Sequence, residues 1–147
     1  MYRSIIVGVD GSPTAKEALR RAARLAEATG AKLHIVCAYQ GSTLVAVDPI
    51  SAASAGVADM GESIRRTAEE LLQSEAKDLG VNGVEVQTHA IQAEASDALI
   101  DAADEQNADL IVVGNRGMRG GKRLLLGSVP NRVAHHAGRD VLIVHTT

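Results

Sequence analysis

Asp109-Leu-Ile-Val-Val113 runs directly into Gly114-Asn115-Arg116-Gly117, and nine residues later Gly127-Ser128 opens the helical pattern Val129–Ala137. An apolar run, a loop of glycine and arginine, and a helix start therefore follow one another. This order suits a bound phosphate. Glycines let backbone N–H groups come close, and a helix start offers unpaired donors at the positive end of its dipole. The stretch is also one strand–loop–helix step of the alternation that implies an α/β sandwich around a parallel sheet.

The same alternation continues in both directions. Ser4–Val9 reads as a buried strand. Ser12 is placed to cap the next helix, with Pro13 at its first position. Ala15, Leu19, Ala22 and Ala26 recur at helical spacing, and Gly30 is placed to end that helix. Lys32–Tyr39 is a second strand. Gln40 to Gly61 is low in bulk and reads as a long mobile loop. Ile64, Ala68, Leu71, Leu72 and Leu79 mark a second helix, closed by Gly80.

Val84–Ala90 alternates apolar and polar residues, which places it at a sheet edge with one wet face. Ser96 to Asn107 is a third helix with Leu99, Ile100 and Ala103 inward. Asp109–Val113 is the fourth strand, Ser128–Ala137 the fourth helix, stopped by Gly138, and Val141–Val144 the fifth strand. The expectation is an α/β sandwich on a five-stranded parallel sheet with right-handed crossovers.

The chain has 147 residues and a net charge of −3. That length fits one domain over 1–147 with a sizeable core. The charge gives no global field to attract nucleic acid. There is no Trp or Phe, and the only aromatic rings of that class are Tyr2 and Tyr39, so stacking platforms for single strands are lacking. Cys37 is the single cysteine. It lies in an apolar run and reads as a buried thiol, which fits a reducing, cytoplasmic setting. No signal-peptide core and no run of about 18 apolar residues is present, so neither export nor a membrane span is expected.

In a parallel sheet, ligands bind beyond the carboxyl ends of the strands. Those ends carry Gly8-Val9-Asp10-Gly11-Ser12, Ala38-Tyr39 and Gly114–Gly117. Asp10 has two open readings, a turn residue and a carboxylate for an adenosine moiety. Arg116, Arg119, Lys122 and Arg123 form a cationic loop, and Arg116 between two glycines is the best candidate to meet a phosphate. Two common nucleotide motifs are excluded. Gly120-Gly121-Lys122-Arg123 lacks the first glycine and the Ser or Thr of a P-loop. Gly8-Val9-Asp10-Gly11 has Asp10 where a dinucleotide fingerprint needs its second glycine.

The spacing Gly114-x2-Gly117-x9-Gly127-Ser128 resembles the nucleotide-binding signature of the universal stress protein family. The opening Ile5-Ile-Val-Gly-Val-Asp10-Gly-Ser12 and the closing Gly127-Ser128-Val129 with Val141–Val144 resemble it as well. The resemblance covers essentially the whole chain. It implies a Rossmann-like, three-layer domain of strand order 3-2-1-4-5 with four helices, commonly a homodimer, and the ATP-binding branch of the family. On that resemblance Gly8, Val9, Asp10 and the backbone around Ala38 would hold adenine and ribose. Val113, Gly114, Asn115, Arg116 and Gly117 would pass close to the ribose and first phosphate. Gly127, Ser128, Val129 and Pro130 would meet the phosphates at the helix start. Two positions depart from the common pattern: Arg116 stands where relatives often have His, and Pro130 has no N–H to offer.

The implied ligand is ATP, with AMP and ADP as alternatives, and Mg2+ bridging the phosphates stays open because it takes few protein ligands. No catalytic set and no protein metal site is expected. His34, His89, His135, His136 and His145 form no i,i+4 pair on one helix, and adjacent His135 and His136 point about 100° apart. The expected function is nucleotide binding in stress response or signalling, with occupancy altering conformation or the binding of an unknown partner, and slow or no hydrolysis. A weak ATPase or adenylyl-transferring enzyme is one alternative, although no His-x-Gly-His or Ser-Gly-Gly-x-Asp-Ser pattern is present. A dimeric interaction module with a vacant site is another, opposed by the intact glycine spacing. Because Val141–Val144 is apolar on both faces and would lie at an edge, pairing with the same strand of a second copy is expected.

Overall fold

The computed structural model describes residues 1–41, 57–116 and 126–146. The elements are β1 (Ser4–Gly8), α1 (Pro13–Thr29), β2 (Lys32–Tyr39), α2 (Val57–Asp78), β3 (Val86–Gln92), α3 (Ala95–Glu105), β4 (Leu110–Gly114), α4 (Ser128–His136) and β5 (Asp140–Val144). All strand pairs are parallel, in the order β3-β2-β1-β4-β5. The chain thus forms the expected Rossmann-like α/β sheet. Its direction of winding switches between β1 and β4, which places a crevice at their carboxyl ends.

The central strands are buried on both faces, as their continuous Ile, Leu and Val content requires. Ile5, Val7, Leu33, Ile35 and Val112 pack under α1 and α2. Ile6, Val36, Ile111 and Val113 pack under α3 and α4. Helix α1 lies close to the sheet because Ala18, Ala22, Ala23 and Ala26 face it with almost no bulk, all at 1% exposure or less. Its ends follow local chemistry. Ser12 Oγ accepts the Ala15 N–H at 3.2 Å, Pro13 opens the helix, and Gly30 ends it at φ 72°. Only glycine adopts that left-handed geometry without cost.

Three expectations shift. Helix α2 already begins at Val57 and runs through Gly61, so the tail of the supposed loop is helical. Gly61 costs about 1 kcal/mol against alanine in a helix, and the 22-residue helix carries it. The rest of that loop, 42–56, lies outside the described residues. In α3 the inward face is Ala98, Leu99, Ala102 and Ala103, while Ile100 is only partly buried. One residue step turns a helix by about 100°, so Leu99 and Ile100 cannot both face the sheet. Strand β3 is an edge as expected, but it spans Val86–Gln92, two residues later than the alternation suggested.

A polar pair, His34 buried and His89 partly buried, joins β2 to this edge. His34 is 3% exposed, and its Nδ1 lies 3.0 Å from His89 Nε2. One ring must donate and the other accept, so the pair cannot carry protons on both facing nitrogens. Burial depresses both imidazoles below their ordinary value of 6.5. For His34 the neighbouring His89 and Lys32 add to the effect and Glu85 opposes it, and for His89 Glu105 opposes it. The native pair therefore holds fewer protons than the unfolded chain. Its contribution to stability is complete above pH 6.5 and declines as pH falls through and below that value. We expect the urea midpoint to drop between pH 7.5 and pH 5.5, and the drop to shrink in the double variant His34→Leu, His89→Leu. Equal pH slopes for both proteins would show that the pair is not the sensor.

Candidate functional site

Three loops meet beyond the carboxyl ends of β1 and β4. The first, Val9 to Ser12, turns the chain from β1 into α1. Asp10 Oδ1 accepts the Ser12 N–H at 2.9 Å, and Gly11 takes φ 81°. The turn reading of Asp10 is thus realised with one oxygen. The second loop leaves β4 through Gly114, Asn115 and Arg116. The third, Leu126 and Gly127, enters α4.

Hydrogen bonds tie these loops together. Thr14 Oγ1 donates to the Arg116 carbonyl at 3.1 Å. Its one proton is then spent, so the Ser12 hydroxyl donates to Thr14 Oγ1, 3.1 Å away. Gly127 N–H donates to the Asn115 carbonyl at 3.0 Å, and Asn115 N–H to the Val144 carbonyl at 2.9 Å. Asn115 Oδ1 accepts both the N–H and the hydroxyl of Thr146, at 2.9 and 2.7 Å. The glycines make this approach possible. A Cβ on Gly114 would stand 3.4 Å from the Thr14 carbonyl oxygen, and one on Gly127 would stand 3.3 Å from that of Asn115. The space these two positions keep clear is filled by the protein's own backbone.

A cavity opens between the loops. It is a small, open cavity with about 100 Å³ of space for water-sized molecules. Of the residues expected at a site, Gly8, Val9, Asp10, Ala38, Val113, Gly114, Arg116, Val129 and Pro130 line it. Gly127 and Ser128 stand at the start of α4 beside it, outside its lining. The Asn115 side chain is turned to Thr146 and serves as a strap for the C-terminal segment. Gly117, and with it Arg119, Lys122 and Arg123, lies outside the described residues. Pro130 is buried in the first turn of α4, where a proline ring is tolerated.

The cavity also has walls that sequence reasoning missed. Ala15, Val36, Ala95 and Leu99 line it, and each looks like ordinary core in the sequence. The period-2 rule applied to Ala38 already puts Val36 on the same face of β2. Leu99 comes from α3, and its Cδ2 would lie 3.1 Å from a Cβ on Gly8. The small residue at Gly8 therefore admits the α3 wall.

The donors at the start of α4 are fewer than expected. The Gly127 N–H is given to Asn115, and Pro130 has none. Ser128 and Val129 remain, and in a first turn they have no helical carbonyl to receive them. Cys37 is 6% exposed. Burial, with Asp10 adding its charge, raises its thiol above the ordinary range, so it is a packing residue and not a nucleophile. The described residues contain no cluster of three metal-ligating side chains, and His135, His136 and His145 are exposed away from the cavity.

This loop geometry is matched at the level of sequence. Residues 1–145 match the model of the "Universal stress protein family". The chain belongs to the universal stress protein family. It is 40% identical over 151 aligned positions to universal stress protein Rv1636 of Mycobacterium tuberculosis, covering 99% of this chain and 98% of that protein. A solved universal stress protein in complex with cAMP is 36% identical, with a TM-score of 0.66, covering 99% of this chain and 98% of that one. The universal stress protein from Archaeoglobus fulgidus in complex with dAMP is 27% identical, with a TM-score of 0.58 and 97% of each chain covered.

The strap through Asn115 yields a direct test. Asn115→Ala leaves the Thr146 N–H, part of a residue only 7% exposed, without its acceptor. We expect a loss of about 1–3 kcal/mol in urea unfolding. A loss below the error of the measurement would show that the strap does not hold the C-terminal segment.

Proposed function

We propose that this universal stress protein binds an adenine nucleotide as a single domain over 1–147, and that occupancy alters a surface read by a partner in stress response or signalling. The observation that carries the reading is the cavity itself. It sits at the switch point of the sheet, has one carboxylate and one guanidinium on otherwise largely apolar walls, and adjoins the start of a helix. Val36, Ala38 and Leu99 suit a flat base. Asp10 has a second oxygen for ribose hydroxyls. Arg116 and the N–H groups of Ser128 and Val129 suit phosphate. Two relatives solved with cAMP and with dAMP support the class of ligand.

The resident ligand is taken to be ATP, with ADP and AMP sharing the adenosine contacts. Mg2+, if it accompanies ATP, would rest mainly on the phosphates, since Asp10 is the one carboxylate among the described lining residues. The protein is assigned to the cytoplasm. No described helix is long and apolar enough to cross a membrane.

Coupling to a surface has a short route. Asn115 stands between the cavity and β5, bonded to Val144 and Thr146. Strand β5 is a sheet edge, and Leu142 on it is 40% exposed. We take Val141–Val144 to pair with the same strand of a second copy. A ligand that orders the loop at Arg116 then acts one residue from the segment that holds the dimer edge.

Mass spectrometry of small molecules released from the purified protein should find an adenine nucleotide, and Ala38→Phe, which fills the base-side wall, should abolish its retention with the fold intact. Retention unchanged in that variant would place the ligand elsewhere. ATP turnover should stay well below the ~1 s⁻¹ of ordinary enzymes, because no histidine is among the described residues that line the cavity. In sedimentation, Leu142→Arg should convert a dimer to a monomer at micromolar concentration. A wild-type monomer under the same conditions would rule the edge pairing out.

A further inference from the structure

Helices α3 and α4 lie side by side on one face of the sheet, with Ala98, Ala102 and Val133 in their shared core. Each also gives a wall to the cavity, Ala95 and Leu99 from α3 and Val129 and Pro130 from α4. Just outside those walls one arginine joins the two helices. Arg132 on α4 places Nη1 3.0 Å from Glu94 Oε2 and Nη2 3.0 Å from Asp97 Oδ1. Glu94 adjoins Ala95 in the chain, and Arg132 lies about one turn beyond Val129. Among the described residues no other side-chain hydrogen bond or ion pair links the two helices. The clamp is also preset. Glu94 is the cap residue of α3, yet its side chain makes no bond to the N–H groups of that helix. Its Oε2 accepts the hydroxyl of the buried Ser96 at 2.7 Å instead. A planar guanidinium that meets two carboxylates at once is fixed in orientation as well as held by charge.

The size of the cavity gives this clamp a consequence. About 100 Å³ is open between the walls, below the ~300 Å³ at the lower end of small-ligand pockets. A nucleotide base that enters has to part them. The strand walls are fixed, because β1, β2 and β4 are each hydrogen-bonded to two neighbours. The helix walls are the ones that give, and Arg132 holds them together. All three side chains of the clamp are about half exposed, so water and salt screen it and it opens readily. We infer that Arg132 is a positioning residue that latches the α3 wall to the α4 wall and sets the rate at which the nucleotide enters and leaves. The inference rests on the adenine-nucleotide reading above. Arg132 is not among the lining residues, so it acts through the walls and not on the ligand. The latch is made in the free and the loaded protein alike, so it favours neither state. Its removal speeds entry and exit together and leaves the equilibrium where it was.

The experiment measures radiolabelled ATP on the full chain freed of bound nucleotide, with Kd from equilibrium dialysis and dissociation from rapid filtration after a chase of unlabelled ATP. In Arg132→Gln dissociation should accelerate about three- to fivefold, the scale of one exposed ion-pair cluster, while Kd stays within about twofold of wild type. The association rate, taken as dissociation over Kd, should rise by the same factor. The double variant Glu94→Gln, Asp97→Asn should behave alike from the other helix, and adding Arg132→Gln to it should bring no further gain. An unchanged dissociation rate in Arg132→Gln would overturn the latch and leave the nucleotide reading standing. A Kd weakened in step with dissociation would mark Arg132 as a ligand contact or a structural support and overturn the latch as well. Additive acceleration in the triple variant would show that the three residues do not act as one clamp. If wild type binds no ATP, the nucleotide reading itself falls, and the latch with it. If Arg132→Gln does not fold, the double variant decides by the same split between rate and affinity.

Discussion

The close approach of three backbones at the carboxyl end of the sheet is the constraint on which the rest of this structure depends. The start of α1, the exit of β4 and the entry to α4 touch one another through the Thr14, Asn115 and Arg116 carbonyls. Gly114 and Gly127 suit these positions because a Cβ at either would come to 3.4 or 3.3 Å from a carbonyl oxygen of another segment. Once the three segments are in contact, the cavity between them follows. Its floor is the ends of β1, β2 and β4, its rim is the loops, and its far wall is α3. Gly114 and Gly127 therefore stand where the chain packs against itself, and the phosphate site proposed above would be built on that packing.

How much of this was legible in the sequence depended on distance along the chain. Strands, helix stops and the Ser12 cap were legible because they follow from neighbours within one turn. The family spacing supplied strand order, which no local pattern contains. The interactions that hold the site were not legible. Thr14 and Arg116 are 102 residues apart, Asn115 and Thr146 are 31, and Arg139 reaches back 36 residues to the Ala103 carbonyl at the end of α3. Single polar residues of this kind carry no periodicity, so only the fold reveals what they bond. Asn115 shows the consequence. Its place inside the signature suggested a ligand contact, and its side chain is committed to Thr146.

The apolar walls were hidden for a different reason. Ala15, Val36, Ala95 and Leu99 are drawn from three elements, and each fits its own amphipathic pattern. A residue that lines a cavity at the end of a strand has the same composition as one that fills the core a turn below it. The sequence distinguishes them only after the sheet order is known, because the order decides which strand ends converge. Charge was more informative. Asp10 and Arg116 are partly exposed, and both line the one cavity without pairing with each other. Several other arginines are partnered, as Arg132 is with Glu94 and Asp97 at 3.0 Å each.

The two sheet edges complete the physical picture. Strand β3 is long, and Gln87 and Thr88 on it are exposed, which is the usual way an edge is kept from pairing. Its ladder to β2 and the packing of Val86, Ala90 and Ile91 join it to the core, with the partly buried His89 meeting His34. Strand β5 has five residues, opening on the exposed Asp140, with Val141 and Ile143 partly buried and Leu142 exposed. The cavity lies over the ends of β1, β2 and β4, and beside it the Asn115 side chain holds Thr146 just beyond β5. A ligand changes a distant equilibrium only when its contacts differ between two arrangements. On the proposed reading the loop after β4 is the link, because Arg116 lines the cavity while its neighbour Asn115 holds the segment beyond β5.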